Sequence, residues 1–512
     1  MPESLAFLND AERLFRAEGN DAGLALTISR RATAQRMLGA YTEALMDAKE
    51  VLSLAADVPE RQALYAEALR TKGMTLFRLG QTRQAVTFLE DALDLYIRLK
   101  EDASIPLVLL ETGMVYRALG EFKQAQTAYE KALNIWHKAG NLYSQANVLN
   151  NLGVLYHSLG QYEKAALSFE EGLLCARRGS NARLDALIST GLGDLYAELG
   201  DVEAAHRNYQ HALSIIQNMD DRFMLHYLAL AQSHLAFLQR DVSSARATLA
   251  AMEDSIRKGN SSYENGLLHW LLGRIALAEG NPLTALADFA QAEKEFNEGG
   301  RSSDASAVMV WRAAACCAQG NQQEAVQILN SLIESRNHTA HVVFSALHQS
   351  QAWLGSLRQH PTAGRALRDL FSQVDKLAAQ IPAARRELRR QVQVISSTAP
   401  KLVIQAFGPA LVSVDGAWLT ISDWQTQSVR DLFFYLVSIS RAQTKEQIGE
   451  TLWPEQYELP KLRLRFKNDL YRLRRAVGAE TILYQDVYYT FNRSIDYEYD
   501  VEAFESFLSR AR

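Results

Sequence analysis

Cysteine is scarce: 512 residues hold three, Cys175, Cys316 and Cys317. An adjacent pair has neither disulfide nor zinc spacing, which excludes a disulfide-stapled secreted scaffold and points to reduced thiols in the cytoplasm. No stretch approaches the ~20 apolar residues of a membrane helix, and MPESLAFLNDAERLF at the N-terminus carries acids instead of an apolar signal core. Diffuse positive charge is also missing. The net charge is −5, so a nucleic-acid surface must be local. There is no Gly-Lys dipeptide, hence no Walker A loop, and no HExxH or GxSxG. Histidines such as His137, His157, His206 and His211 occupy separate helical positions, as surface or groove residues do. The chain reads as a non-enzyme with no metal or cofactor.

A repeat is what the sequence has in abundance. Gly73, Gly113, Gly153 and Gly193 are forty residues apart, and so are Gly80, Gly120, Gly160 and Gly200. Five residues after each second glycine stands Ala85, Ala125, Ala165 or Ala205, and four later Leu89, Tyr129, Phe169 or Tyr209. The register continues through Arg240/Ala245/Leu249, Gly280/Ala285/Phe289 and Gly320/Ala325/Leu329, and reaches back to Gly39/Ala44, giving eight repeats. In GVLYHSLGQYEKAALSF the apolar residues recur at three- and four-residue spacing, as on one helix face. The second glycine stands where a helix C-terminus favours a left-handed residue. The first glycine and the alanines let helices approach, and the aromatic or leucine fills the gap to the next repeat.

This pattern resembles the tetratricopeptide repeat, except that forty residues exceed the usual 34 and require longer helices or longer turns. The resemblance implies a right-handed α-solenoid over residues 1–395, with eight repeats at about 20–335 and capping helices at 340–395. It also implies a groove lined by the first helix of each repeat. In the family register the groove positions include Arg70, Arg117, Asn147, Asn150, Asn151, His157, Asp194, His234, Trp270 and Arg274. The asparagines resemble those with which related peptide-sensing solenoids hold a peptide backbone, since an amide both donates and accepts. The expected occupant is a peptide, protein or small-molecule effector.

Both ends look cut. DAERLFRAEGN aligns with KALNIWHKAGN, the second helix of a repeat and its turn, and residues 498–512 read as the start of a helix that stops. A fragment of a longer regulator with an upstream ATPase module is one reading, and an ordinary N-terminal capping helix over residues 3–18 is the other.

QVQVISSTAP interrupts the helical period, which makes 396–401 a linker. From 402 the period becomes two in LVIQAF, ALVSV and DGAWLTI, which read as strands. Three helical segments follow, SVRDLFFYLVSIS, TKEQIGETLW and LPKLRLRFKNDLYRLRRAVG, then TILYQDVYYTFN as a hairpin. Strands, three helices and a hairpin over 402–497 make a small α+β winged helix-turn-helix. LWP, LYRLRRAVG and DVEAFE resemble the OmpR/PhoB-type DNA-binding domain of the bacterial SARP-family transcriptional activators. In that family DVEAFE opens a helical activation domain, whereas here helical repeats precede the DNA-binding domain.

Residues 459–478 hold seven basic residues and one acid, Asp469. Leu462, Phe466, Leu470, Leu473 and Val477 form an apolar stripe, and Lys461, Arg465, Asn468, Arg472 and Arg475 lie opposite, with Tyr471 at the margin. Such a helix fits the major groove, where Arg reads guanine and Asn reads adenine. Lys461, Arg465 and Asn468 are placed at base edges, and Arg472 and Arg475 at phosphates. Arg493 is placed at the wing. By resemblance, the loop bearing Glu455, Tyr457 and Glu458 meets RNA polymerase. The whole reads as a bacterial transcription regulator binding double-stranded DNA, with a homodimer on tandem half-sites as one form the resemblance implies; the rival reading is a protein-assembly scaffold whose winged helix contacts protein.

Overall fold

The computed structural model describes residues 2–219, 221–259, 261–335, 341–361, 364–391, 402–455 and 458–511. The chain divides into two compact units, Met1–Asp375 and Lys376–Arg512.

In the first unit, a leading helix Pro2–Ala17 is followed by eight helix pairs, from Asp21–Met37 with Tyr41–Ala55 to Ser302–Ala318 with Gln322–Glu334. Longer helices account for the forty-residue period. Leu142–Ser158, Tyr162–Arg178 and Ala182–Glu198 each have 17 residues, separated by three-residue turns. Many turns are closed from both sides. Gly120, Gly160 and Gly200 take φ of 78°, 67° and 73°, the left-handed backbone that a residue without Cβ adopts at no cost. Where the residue after the turn is Asn or Asp, as at Asn141, Asn181 and Asp201, its side chain caps the next helix by accepting from the backbone N–H three residues on. Arg240 stands in the glycine register and still takes φ 64°.

The first glycine of each repeat is a socket. A Cβ on Gly153 would lie 2.5 Å from Phe169 Cδ1, and one on Gly193 would lie 2.3 Å from Tyr209 Cε1. The aromatic therefore fills space within its own repeat as well as toward the next: Phe169 also closes on Gly191. Tyr129, Phe169, Tyr209, Phe289 and Leu89 are all fully buried, each stabilising by roughly 1.5–3 kcal/mol. The stack coils until distant turns touch. A Cβ on Gly80 would lie 1.7 Å from the Glu298 carbonyl oxygen, and one on Gly300 would lie 2.2 Å from Thr82 Oγ1. Beyond the repeats come His341–Gln349, Gln351–Leu354 and the long helix Arg365–Gln391.

The second unit begins inside that long helix, earlier than the expected boundary at 395. Arg386 explains why. It donates to the carbonyls of Ile495 (2.6 Å) and Arg493 (3.0 Å) and stacks on the Tyr497 ring at 4.3 Å. The expected 396–401 linker lies outside the described residues. Strands β1 (Leu402–Gln405), β2 (Leu411–Val414) and β3 (Ala417–Trp418) lead. The helices Ile421–Trp424, Gln427–Ser438, Lys445–Leu452 and Leu459–Val477 follow, with β4 (Gln443–Thr444) before the third. The hairpin is β5 (Ile482–Gln485) and β6 (Tyr488–Phe491), and β7 (Tyr497–Tyr499) and the helix Asp500–Ala511 end the chain. One sheet runs β3-β2-β1-β7 and the other β4-β6-β5. Strands, helices and hairpin follow one another as the sequence suggests, and a further strand joins the first sheet near the end. Residues 497–499 are a strand parallel to β1, and the Asp500 carboxylate accepts from the N–H groups of Ala406 and Phe407 at 2.9 Å. The DVEAFE helix start is thus built into this unit. No helix among the described residues is long and apolar enough to cross a membrane.

Candidate functional site

The first unit holds a partly open cavity of about 250 Å³. Its wall comes from the first helices of four consecutive repeats and from the helix His341–Gln349. Asp194, His234 and Arg274 stand forty residues apart and face the same space. One repeat position therefore supplies a carboxylate, an imidazole and a guanidinium in turn. His157 and Trp270 complete the set of five expected groove residues that the fold brings together.

The acids are answered locally. Glu198 accepts from His157 Nε2 at 2.5 Å, His341 Nε2 at 2.6 Å and the Tyr162 hydroxyl at 3.2 Å. Burial pushes the Glu198 carboxyl up, but the two imidazoles outweigh it and hold the group well below the usual range. His157 is drawn up by Glu198 against the opposing effect of burial. Asp194 accepts from the hydroxyls of Tyr209 (2.7 Å) and Tyr227 (2.8 Å), and burial still raises it.

Arg274 has no such answer. It is 3% exposed and forms no salt bridge among the described residues. Its Nη2 donates to the Gln349 Oε1 at 2.8 Å. Its plane lies near the rings of Phe237 (4.4 Å), Trp311 (4.6 Å) and Trp270 (5.9 Å). Burial lowers its pKa to about 9, so it stays charged at neutral pH. Beside it, burial and then Arg274 itself push His234 down to about 3. The Arg274 Nε, the Trp270 Nε1 and the His234 Nε2 are buried and find no hydrogen-bond partner among the described residues.

The remaining expected groove residues lie elsewhere. Arg70 is buried in an ion pair with Glu111 (2.9 Å) and Glu67 (2.6 Å), an internal structural pair. Arg117 is half-buried beside Tyr129, and its Nε finds no partner among the described residues. Asn151 donates to the Asn147 carbonyl at 2.9 Å, a bond within one helix, and Asn150 is buried. Glu198, Tyr227, His341 and Gln349 were not foreseen. Glu198 and Tyr227 could have been found by following the repeat register along the first helices. His341 and Gln349 carry no periodic signal, because their helix is outside the register.

In the second unit the basic stretch is one continuous helix, Leu459–Val477. Leu462, Phe466, Leu470, Leu473 and Val477 are buried as the stripe requires. Gly449 admits this helix closely: a Cβ there would lie 2.5 Å from Leu462 Cδ1. The exposed face is rotated from the expected one. Tyr471 stands at its centre, 70% exposed, with Leu464 at 61%, and Lys461, Lys467, Asn468 and Arg475 are exposed around them. Arg465 is drawn to the margin by stacking over Trp453 (4.7 Å) and donating to the Ser428 hydroxyl (3.2 Å). Arg472 also lies at the margin, beside buried Asp469 at 3.8 Å. Asp469 accepts from Ser428 at 2.7 Å.

Arg493 sits differently from the expectation. It donates to the carbonyls of Val437 (3.0 Å) and Ile439 (3.3 Å) and pairs with Glu502, so it fastens a helix end instead of tipping the hairpin. Glu455 and Glu458 are exposed, and Glu458 pairs with Lys461 at 3.0 Å; Tyr457 lies outside the described residues.

Models of the tetratricopeptide repeat match residues 23–98 and 105–177, 188–219 and 270–338. A search of curated proteins finds no match. Among solved structures, a Rap protein complexed with Competence and Sporulation Factor is 13% identical, with a TM-score of 0.50 over 70% of this chain and 99% of that one. The Rap conjugation gene regulator of plasmid pLS20, in complex with the Phr* peptide, is 16% identical, with a TM-score of 0.44 over 55% of this chain and 75% of that one. BtubC from P. vanneervenii is 22% identical, with a TM-score of 0.38 over 43% and 92%. The forty-residue helix pairs of this chain are tetratricopeptide repeats.

Proposed function

We propose that the chain is a sequence-specific, double-stranded DNA-binding transcription regulator whose repeat unit receives a peptide, protein or small-molecule effector. The observation that carries this reading is the Leu459–Val477 helix. Five apolar side chains fix it to a core, while Lys461, Lys467, Asn468, Tyr471 and Arg475 face solvent along one side. A cylinder with an apolar back and a cationic, amide-bearing front complements the major groove. Asn468 is matched to an adenine edge, Leu464 and Tyr471 to thymine methyl groups, and the lysines and Arg475 to phosphates. The element order of the unit resembles the OmpR/PhoB-type domain of SARP-family activators and supports the same reading. On the effector side, a Rap protein of similar fold is complexed with Competence and Sporulation Factor, and this chain has a partly open cavity among its first helices.

The test is fluorescence anisotropy of the full chain on duplex DNA across a salt series, followed by selection of bound sequences. The expected result is binding that weakens steeply with salt, because counterions are released from phosphates, together with enrichment of one motif. Absence of duplex binding at low salt, or DNA-independent capture of a protein through the exposed helix face, overturns it in favour of the scaffold.

A further inference from the structure

Among the described residues of the repeat unit, Arg274 is a buried charge that forms no salt bridge. Arg274 lines the cavity at 3% exposure, and it donates to the neutral amide of Gln349. Isolating an ionised group in a low-dielectric interior is costly unless something of opposite charge completes it. The nearby acids do not serve, because Glu198 is spent on two histidines and Asp194 on two tyrosine hydroxyls. His234 adds no charge of its own. Two donors, the Arg274 Nε and the Trp270 Nε1, are buried and unmatched among the described residues. Leu230, Leu267, Leu271 and Val342 supply apolar wall around them.

We propose that this cavity binds a carboxylate, held by the guanidinium of Arg274 with the Trp270 indole N–H as a further donor and its carbon body against the leucines. This deepens the reading of the repeat unit as an effector receiver and rests on it. The planar fork of a guanidinium matches a carboxylate by two parallel hydrogen bonds. A phosphate is the poorer fit, since one cation would face two negative charges beside Asp194 and Glu198. At about 250 Å³ the space lies below the usual ~300–1,000 Å³ of ligand sites. It therefore suits a small organic acid, or the single C-terminal carboxylate of a peptide entering end-on.

The experiment uses the full chain and isosteric pairs. Hexanoate is compared with hexanamide, and the tripeptide Ala-Ala-Leu with its C-terminal amide, by calorimetry and thermal melting. Each acid is expected to bind at least tenfold more tightly than its amide. Binding by hexanoate alone identifies a free small acid, and binding by the peptide acid identifies a chain terminus. In Arg274→Gln the acid and amide become equal. Equal affinity within both pairs on the wild-type chain, or no binding of either acid, overturns the proposal even if the variant fails to fold. Anisotropy of a labelled duplex in ligand-free samples reports the regulator reading separately, so the two can fail independently.

Discussion

Two arginines on first helices of the same solenoid meet opposite treatment. Arg70, 7% exposed, is clasped by Glu67 and Glu111. Arg274, 3% exposed, meets an amide and three aromatic rings. Both were expected in the groove, and burial alone does not separate them. What separates them is whether the fold supplies the counter-charge. Where it does, the residue is architecture. Where it does not, the residue is the one to which the proposed carboxylate is assigned.

The most severe way to break this comparison is to remove each cation. Arg70→Met leaves Glu111 buried and unpaired, and is expected to cost about 3–5 kcal/mol in urea unfolding. Arg274→Met removes an uncompensated charge, and is expected to change stability by less than about 1 kcal/mol or to raise it. Equal losses would erase the distinction. Next comes packing: Gly153→Ala forces a Cβ into Phe169 at 2.5 Å and is expected to cost about 1–3 kcal/mol in the same assay. A comparable effect should appear on DNA. Asn468→Ala should lose about 1–3 kcal/mol of specific binding and relax one position, while Arg475→Ala should weaken all sequences alike and cut the salt slope by about 1. Anisotropy checks both. The smallest expected effect is on pH. His157, raised by Glu198, stabilises the fold below its ordinary pKa, and that contribution is lost as pH rises through the raised value. Glu198, held low, contributes above the ordinary carboxyl value and loses it only in acid. Melting temperature should therefore decline on the alkaline side, and Glu198→Gln should flatten that decline.

Much of this was legible. Forty-residue spacing places Gly153 opposite Phe169, because two helices of fixed length must meet at the same residues in every repeat. The same spacing aligns Asp194, His234 and Arg274. The apolar stripe of Leu459–Val477 survives for a similar reason, since helical period sets which residues meet a core. Three things were not legible. Arg465 turned toward Trp453 because that partner lies on another segment, which a helical wheel does not see. Arg493 fastens carbonyls more than fifty residues away in sequence. His341 enters the cavity from a helix that shares no register with the repeats. In each case the deciding contact is non-periodic, and a periodic reading is blind to it.

The touching turns at Gly80 and Glu298 bear on how this molecule could evolve. A stack whose modules meet only their neighbours can gain or lose one at little expense. Here, inserting a module between these turns would pull them out of register, and any side chain at Gly80 would collide with the opposite carbonyl. The coil is thereby fixed in count, and change is steered toward substitution within modules rather than toward adding them.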